Sequence, residues 1–447
     1  MGSSIQLPAY GHRLQVRLQK GDLYRLFTSL EDAKHEEAIL RQLGPLRETF
    51  ASFLGHEREL DPPDNAALAR YFDACSDPEQ GSQELLEILR LLSPGNGHIG
   101  RNQVNFLADH LRTRVEHFLQ SKQQDLSLLH THDHVFGSGG DFCKTIHAST
   151  AAAIVAAPLV KICKTGTTNV TSYHGSAQAM ETFGYRHPHL SIPTLNQELD
   201  SNGFTFIPLS ALNFPYSQAL KEAREALWHE AMKQLTQRCN VGDPNWQETL
   251  RTTPLTLDIF KIVSPNAQVL RPAHHSTGVC SLAMLPYVLS LYLHLESEGI
   301  IVHCYDGIDE LSNASSVSDP QQPINLLIQV TRDEVIFEEC SPEDIGLTRA
   351  QLADIREEVD LAATQSDIWH ILSGEEQGPR RDFIVANAAL LLVANQGIIP
   401  PQDNLHIQLR EAIARINAVI DSHQVADNFT QLLNAHQQQY TQQQKQL

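Results

Sequence analysis

Two loops rich in glycine and hydroxyl residues constrain this chain more than any other feature. Residues 137–141 read Gly-Ser-Gly-Gly-Asp, and residues 164–169 read Lys-Thr-Gly-Thr-Thr-Asn. Glycine lets backbone N–H groups approach an anion closely, and a helix N-terminus adds unpaired donors and partial positive charge. Because both loops lead towards a helix start, the sequence predicts a pocket for phosphate groups.

The segments that flank the two loops predict the order strand, loop, helix, twice over. Residues 134–136 and 159–163 are short apolar runs before the loops, and residues 151–156 and 176–183 fit helices after them. We expect a hydroxyl residue at position 149 or 150 to cap the first of these helices. This repetition is typical of an α/β fold that binds ligands at the carboxyl ends of its strands.

The predicted fold class is α/β, with a small all-helical domain beside a larger domain built on a central mixed sheet flanked by helices. Apolar residues at helical spacing predict a helical domain at residues 1–125, on which helices from residues 196–258 pack. Residues 126–435 form the predicted α/β domain, and residues 436–447 form a glutamine-rich tail that we expect to be frayed. Further strands are predicted at residues 300–304, 325–331 and 334–337.

Charge and cysteine content narrow the classes of partner. The formal net charge of −20 argues against nucleic-acid binding and requires any phosphate site to be locally positive or to contain a metal. The longest apolar run, residues 151–160, is too short to cross a bilayer, so no membrane partner is expected. The seven cysteines are scattered without a Cys-x-x-Cys pair, which favours a reducing compartment, and we expect a soluble cytoplasmic protein.

Taken in order, the motifs resemble those of anthranilate phosphoribosyltransferase and its relatives, which share a fold with the pyrimidine nucleoside phosphorylases. The family pattern Gly-Thr-Gly-Gly-Asp, then Asn-x-Ser-Thr, corresponds to residues 137–141 and 147–150 with its spacing kept. The second motif corresponds to residues 164–168 and 175–178, and Asp-Gly-Leu-Asp-Glu corresponds to residues 306–310. The resemblance extends from about residue 132 to residue 435, and three motifs in order are a specific signal.

The resemblance implies an enzyme that joins the anomeric carbon of phosphoribosyl pyrophosphate to an aromatic or heterocyclic amine and releases pyrophosphate. It also implies Mg²⁺ as cofactor, a cleft between two domains that closes on the substrates, and a homodimer formed through the helical domain. No protein nucleophile is needed, since the rate comes from holding the charge of the leaving group and aligning the amine.

The resemblance also implies the site residues. Asp309 and Glu310 would hold Mg²⁺, and Ser149 would touch a second metal ion or the pyrophosphate. His147 replaces the Asn of the family pattern and could still donate to a phosphate. The residues expected to bind the sugar diphosphate are Gly137, Ser138, Gly139, Gly140, Asp141, Lys144, Thr145, His147, Ser149, Thr150, Lys164, Thr165, Gly166, Thr167 and Ser176.

Departures from the pattern fall on the side of the amine acceptor. Thr165, Thr167 and Thr168 replace family residues of the second motif, and Pro215 stands where the family has the Arg that meets the anthranilate carboxylate. Proline cannot pair with a carboxylate, so the acceptor is either a related amine or anthranilate held by other residues. Two alternatives stay open: a nucleoside phosphorylase, and a non-catalytic relative that binds a phosphorylated ligand. The pair at residues 274–275, His-His, is expected to precede a helix near the acceptor.

Overall fold

The computed structural model describes residues 13–29, 31–94, 98–139, 141, 143–167, 174–185, 190–238, 257–356, 360–400, 402 and 404–446. A single mixed sheet forms its framework. The strands are β1 (Gln15–Gln19), β2 (Asp133–Gly137), β3 (Ile162–Gly166), β4 (Phe204–Pro208), β5 (His275–Gly278), β6 (Gly299–Cys304), β7 (Asn325–Val330) and β8 (Glu334–Cys340). Their order across the sheet is β1-β8-β7-β6-β5-β2-β3-β4.

Neighbouring strands from β6 through β5, β2 and β3 to β4 run parallel, whereas β7, β8 and β1 are each antiparallel to their neighbours. The predicted mixed sheet is therefore confirmed. Parallel strands end at the same edge of a sheet. The glycine loops that follow β2 and β3 therefore begin next to each other at that edge. The ends of β5 and β6 lie next to them at that edge.

Helices cover both faces of the sheet. They are α1 (Lys20–Thr28), α2 (Ala33–Gln42), α3 (Arg47–Glu59), α4 (Asn65–Ala74), α5 (Ser82–Leu91), α6 (Arg101–Ser121), α7 (Ala148–Ala156), α8 (Ser176–Thr182), α9 (Ile192–Asn202), α10 (Gln218–Arg238), α11 (Ile259–Asn266), α12 (Leu285–His294), α13 (Leu361–Leu372), α14 (Pro379–Ala394), α15 (Leu405–Asp421) and α16 (Gln424–Gln446). Among these described helices, none has the length and apolar composition needed to cross a bilayer.

Side chains of the parallel strands alternate between two hydrophobic cores, as expected for a sheet buried on both faces. One core unites helices α1 to α6 and α9 to α12 with one face of the sheet, and the other unites α7, α8 and α13 to α16 with the opposite face. In β3, Cys163 lies in the first core and Ile162 in the second. Helix α10 packs on α5, where Arg90 and Glu230 form an ion pair.

The structure corrects the predicted secondary structure at three strands. β1 lies in the segment predicted to be all-helical, and its alternation of apolar and polar residues extends over only five positions. β4 lies within residues 196–258, which were predicted as helix, because a five-residue strand cannot be told from a helical segment by periodicity. β5 begins at His275, in a segment for which no strand was predicted, because its sequence His-Ser-Thr-Gly carries no apolar signal.

The predicted frayed tail is also wrong, because α16 continues to Gln446. Glutamine is a good helix former, so a glutamine-rich segment can extend a helix that is already packed. His436, which the prediction placed in the tail, is buried. Its Nδ1 lies 3.1 Å from Oε1 of Glu198, and its ring stacks on Tyr185 with ring centres 4.3 Å apart.

The turn after β6 folds back across the end of β5. Gly307 has a φ of 76°, in the left-handed region, and its N–H donates to the carbonyl of Cys304 at 2.8 Å. The chain returns so closely that a Cβ built on Gly278 would lie 1.4 Å from the carbonyl oxygen of Asp309. Glycine at position 278 is therefore required for Asp309 to lie over the sheet edge.

We expect Gly278→Ala to destabilise the protein by about 3 kcal/mol, because the added methyl group must push away backbone atoms that cannot rotate aside. Gly55→Ala in α3 is the matched control: nothing lies within 4 Å of a Cβ there, so a neutral or slightly stabilising effect is expected. Urea-induced unfolding of both variants measures the difference. Equal stability of Gly278→Ala and the wild type would contradict the close approach.

Candidate functional site

Three carboxylates meet at the carboxyl edge of the sheet. Asp141 follows the first glycine loop, and Asp309 and Glu310 lie in the turn after β6; one oxygen from each lies within 4.8 Å of the other two. The backbone N–H of Asp309 donates to Oδ1 of Asp141 at 2.9 Å, which ties the turn to the loop. Residues predicted from separate motifs are thus brought into one cluster.

The first glycine loop binds the carboxylate of Asp309. The N–H of Gly139 donates to Oδ2 of Asp309 at 2.6 Å, and the hydroxyl of Ser138 donates to the same oxygen at 3.1 Å. A Cβ built on Gly137 would lie 3.1 Å from this Oδ2 and 3.7 Å from Oγ of Ser149. The missing side chain of Gly137 therefore leaves room for Ser149, at the start of α7, to lie beside the cluster.

Electrostatics at this cluster favour a cation. The pKa of Asp141 and the pKa of Glu310 are both raised well above their usual values, by burial first and then by the charge of Asp309. Oε2 of Glu310 is buried and accepts no hydrogen bond from any residue that the structure describes. An all-oxygen donor set with an unsatisfied buried oxygen fits a hard divalent cation such as Mg²⁺.

Lys164, in β3, supplies positive charge next to this cluster. Its side chain is buried, its Nζ donates to the carbonyl of Thr165 at 2.6 Å, and it lies 5.3 Å from the centre of the Phe136 ring. Burial lowers the pKa of Lys164 to about 8, although the charges of Asp309 and Glu310 oppose the shift. The ammonium group therefore remains charged at neutral pH and titrates just above it.

Thr165 is linked through His134, which the sequence analysis did not select, to His275, one of the two histidines that it placed near the acceptor. Its Oγ1 lies 2.9 Å from Nε2 of His134 in β2, and Nδ1 of His134 lies 3.0 Å from Nδ1 of His275 in β5. Burial lowers the pKa of His134 well below its usual value and the pKa of His275 to about 3, so both rings are neutral at neutral pH. Adjacent His274 and His275 were visible in the sequence, but their meaning depended on the unpredicted strand β5.

The second glycine loop joins the start of α8. A Cβ built on Gly166 would lie 1.9 Å from Oγ of Ser176, so these two residues are in direct contact. The N–H of Ala177 donates to the carbonyl of Thr167 at 3.2 Å. Gly166, Thr167 and Ser176 therefore lie together beside Lys164, as the motif predicted; Thr168 lies outside the described residues.

Other predicted residues lie at the margin of the cluster. Nζ of Lys144 lies 5.2 Å from the ring centre of Trp228 in α10 and donates to the carbonyl of Asp141 at 3.4 Å. Thr145 forms a backbone bridge with Arg356. These contacts fix the loop, and the positive charge of Lys144 also acts on the carboxylate of Asp141, whose pKa it lowers against the effect of burial. Gly140 lies outside the described residues.

Helix α7 starts one turn earlier than predicted. His147 is its N-cap, so Ser149 and Thr150 lie within the first turn and neither caps it. Burial, followed by the charges of His174 and Lys164, lowers the pKa of His147 to about 4, which leaves a neutral imidazole that can donate one hydrogen bond. The buried hydroxyl of Thr150 has no hydrogen-bond partner among the described residues.

Asn387 fixes the acidic turn and was not predicted as a site residue. From α14, its Oδ1 accepts from the N–H of Leu311 at 2.9 Å and its Nδ2 donates to the Leu311 carbonyl at 3.0 Å. The only signal in the sequence was a polar residue inside the apolar run of that helix. Asn387 thereby holds the backbone next to Glu310 in place.

Comparison with known proteins assigns the chain to a family. The family model described as "Glycosyl transferase family, a/b domain" matches residues 130–230 and 249–424, which is more than half of the chain. The chain belongs to this glycosyl transferase family. The family resemblance inferred from the motifs is thereby confirmed, and the protein is an enzyme of the glycosyltransferase class.

Curated relatives align with about two thirds of the chain. An anthranilate phosphoribosyltransferase of Thermoanaerobacter sp. is 29% identical over 300 residues, which cover 66% of this chain and 75% of the relative. One from Leifsonia xyli is 27% identical over 294 residues, covering 64% and 72%.

Solved structures show the same fold. The anthranilate phosphoribosyltransferase of Thermus thermophilus aligns with a TM-score of 0.57 at 18% identity, over 87% of this chain and 99% of that chain. That of Saccharomyces cerevisiae, solved in complex with PRPP and Mg, aligns with a TM-score of 0.56 at 17% identity, over 94% and 97%.

We expect the pKa of Lys164 to be about 8, well below that of an ordinary lysine, because its ammonium group is desolvated by burial. A ¹³C NMR titration of the lysine Cε signals measures this directly, and Lys164→Met assigns the signal. Lys161→Met, which changes an exposed lysine paired with Asp200 at 2.5 Å, is the control and should leave the signal of Lys164 in place. A midpoint above pH 10 for Lys164 would contradict the buried geometry.

Proposed function

We propose that this protein is a Mg²⁺-dependent phosphoribosyltransferase. It transfers the phosphoribosyl group of phosphoribosyl pyrophosphate to the nitrogen of anthranilate or a related aromatic or heterocyclic amine, and pyrophosphate leaves. The observation that carries the proposal is the junction of two glycine loops, one buried lysine and three carboxylates at adjacent strand ends. The names of the curated relatives support it.

The donor site follows from the charges. Backbone N–H groups of the glycine loops and the ammonium group of Lys164 would bind the pyrophosphate, with Ser149 and Ser176 as hydroxyl donors. Asp309 and Glu310, with Asp141 beside them, would hold Mg²⁺. When bound, the metal neutralises diphosphate charge and so stabilises the leaving group.

The reaction requires positioning rather than a protein nucleophile. The nitrogen lone pair of the amine forms the bond to the anomeric carbon as the bond from that carbon to the pyrophosphate oxygen breaks, and the electron pair leaves with pyrophosphate. Lys164 and the loop amides hold the negative charge that grows on the departing oxygen. The surplus proton on the product nitrogen passes to solvent.

The acceptor side is where this chain differs from the family pattern. Pro215 follows the short 3₁₀ helix after β4 and lies next to buried Phe214, so no cation stands at the position of the family Arg. A carboxylate at this point would lose a bidentate pair worth a few kcal/mol. We therefore propose that other residues hold the carboxylate of anthranilate, or that the acceptor is a related amine without one.

The helical layer is proposed as a separate domain at residues 1–125 with helices from 196–258, hinged against residues 126–435, and as the surface of a homodimer. The packing of α10 on α5 supports the first part. Sedimentation equilibrium of the full chain tests the second part: a mass of twice 49.9 kDa is expected, and a monomer at all concentrations would contradict it.

Incubation with phosphoribosyl pyrophosphate, Mg²⁺ and a panel of amines that includes anthranilate should release pyrophosphate, and EDTA should abolish the release. Lys164→Met should lower kcat/KM about 100-fold, because one preorganised positive group is lost. Lys161→Met, which changes an exposed lysine, is the matched control and should retain activity. A coupled pyrophosphate assay measures all four reactions.

Two results would redirect the proposal. Cleavage of a nucleoside by inorganic phosphate without Mg²⁺ would identify a nucleoside phosphorylase. Tight binding of phosphoribosyl pyrophosphate without turnover on any amine would identify a non-catalytic relative.

A further inference from the structure

The first glycine loop holds an anion that belongs to the protein itself. Both the N–H of Gly139 and the hydroxyl of Ser138 are directed at one oxygen, Oδ2 of Asp309, at 2.6 and 3.1 Å. The carboxylate oxygen takes the place that a phosphate oxygen would occupy on the same donors. In this state, a phosphate group and Asp309 compete for the loop.

The side chain of Asp309 can move away from the loop, but its backbone cannot. Its N–H is bound to Asp141 at 2.9 Å, and its carbonyl oxygen lies against Gly278, so the backbone is held on two sides. A rotation of the carboxylate is therefore the smallest change that releases the donors of Gly139 and Ser138. A divalent cation bound at the cluster would favour such a rotation, since it attracts the carboxylate away from neutral amides.

We propose that Asp309 determines the ligand specificity of the loop: it excludes metal-free anions, such as inorganic phosphate and free pyrophosphate, and admits a diphosphate only together with a divalent cation. This inference rests on the proposed function and adds to it the form in which the substrate is accepted. It follows that free phosphate should not block the loop beside the buried lysine.

The charges around the loop agree with this role. Asp309 and Glu310 lie near Lys164, and Asp141 lies near Lys144, so carboxyl groups outnumber ammonium groups around the loop, which disfavours a bare anion. An internal competitor lowers the apparent affinity of a ligand by the fraction of molecules in which the site is free. Hydrogen bonds to a charged group are among the stronger ones, so that fraction is small.

The test compares two substitutions that each remove one carboxyl group from the same cluster. Asp309→Ala removes the carboxylate that occupies the loop, whereas Glu310→Ala removes a carboxylate that makes no hydrogen bond to the described residues of the loop. Calorimetry with inorganic pyrophosphate in EDTA should show Asp309→Ala binding at least about tenfold more tightly than Glu310→Ala and the wild type. If the loop contacts of Asp309 played no part, the two variants would gain equally, and that result would overturn the proposal.

A second arm adds Mg²⁺. Wild-type affinity for pyrophosphate should rise at least tenfold, while Asp309→Ala, whose loop is already free, should gain less. If the wild type binds pyrophosphate equally well with and without Mg²⁺, the proposal is overturned.

Further controls guard against misfolding and separate this inference from the proposed function. Asp309→Asn keeps the size of the side chain and should show the same order with a smaller effect, and thermal unfolding checks that each variant folds. Failure of the wild type to bind magnesium pyrophosphate at all would reject the proposed function, whereas equal behaviour of the two alanine variants rejects only the role of Asp309.

Discussion

Mutual repulsion of three carboxylates at one sheet edge is the constraint on which the rest of the site depends. Asp141, Asp309 and Glu310 are held together by backbone contacts that leave them little freedom to separate. Two of the three have raised pKa values, which reflects the cost of keeping them ionised there. Lys164, the loop amides and a bound cation each lower that cost. The same three groups would also stabilise the negative charge of a bound diphosphate.

Close approach of backbone to backbone makes this arrangement possible. Gly278 gives Asp309 room from below, and Gly137 leaves space between Asp309 and Ser149. The side-chain amide of Asn387 holds Leu311, the residue after Glu310: its oxygen accepts from the Leu311 N–H, and its nitrogen donates to the Leu311 carbonyl. The chemistry of the site is therefore set by small and neutral residues as much as by the charged ones, which agrees with a catalytic strategy of preorganised charge.

The sequence was sufficient to predict the glycine loops, the acidic turn and the strands that lead to them, because these features are local and have characteristic residue patterns. β6, β7 and β8 were predicted from apolar runs and are confirmed. β5 was not, since a four-residue polar strand is specified by its neighbours rather than by its own sequence. Contacts such as those of Asp309 with the glycine loop join residues about 170 positions apart and leave no local trace.

The burial of His436 in α16 has a consequence for the C-terminal segment of the chain. His436 packs against Tyr185 and Glu198, next to β4 at the edge of the sheet. His436 thus completes the packing around Glu198 on this side, and α16 continues beyond it to Gln446. A chain that stopped before His436 would therefore uncover the carboxylate of Glu198, which is buried in the intact enzyme.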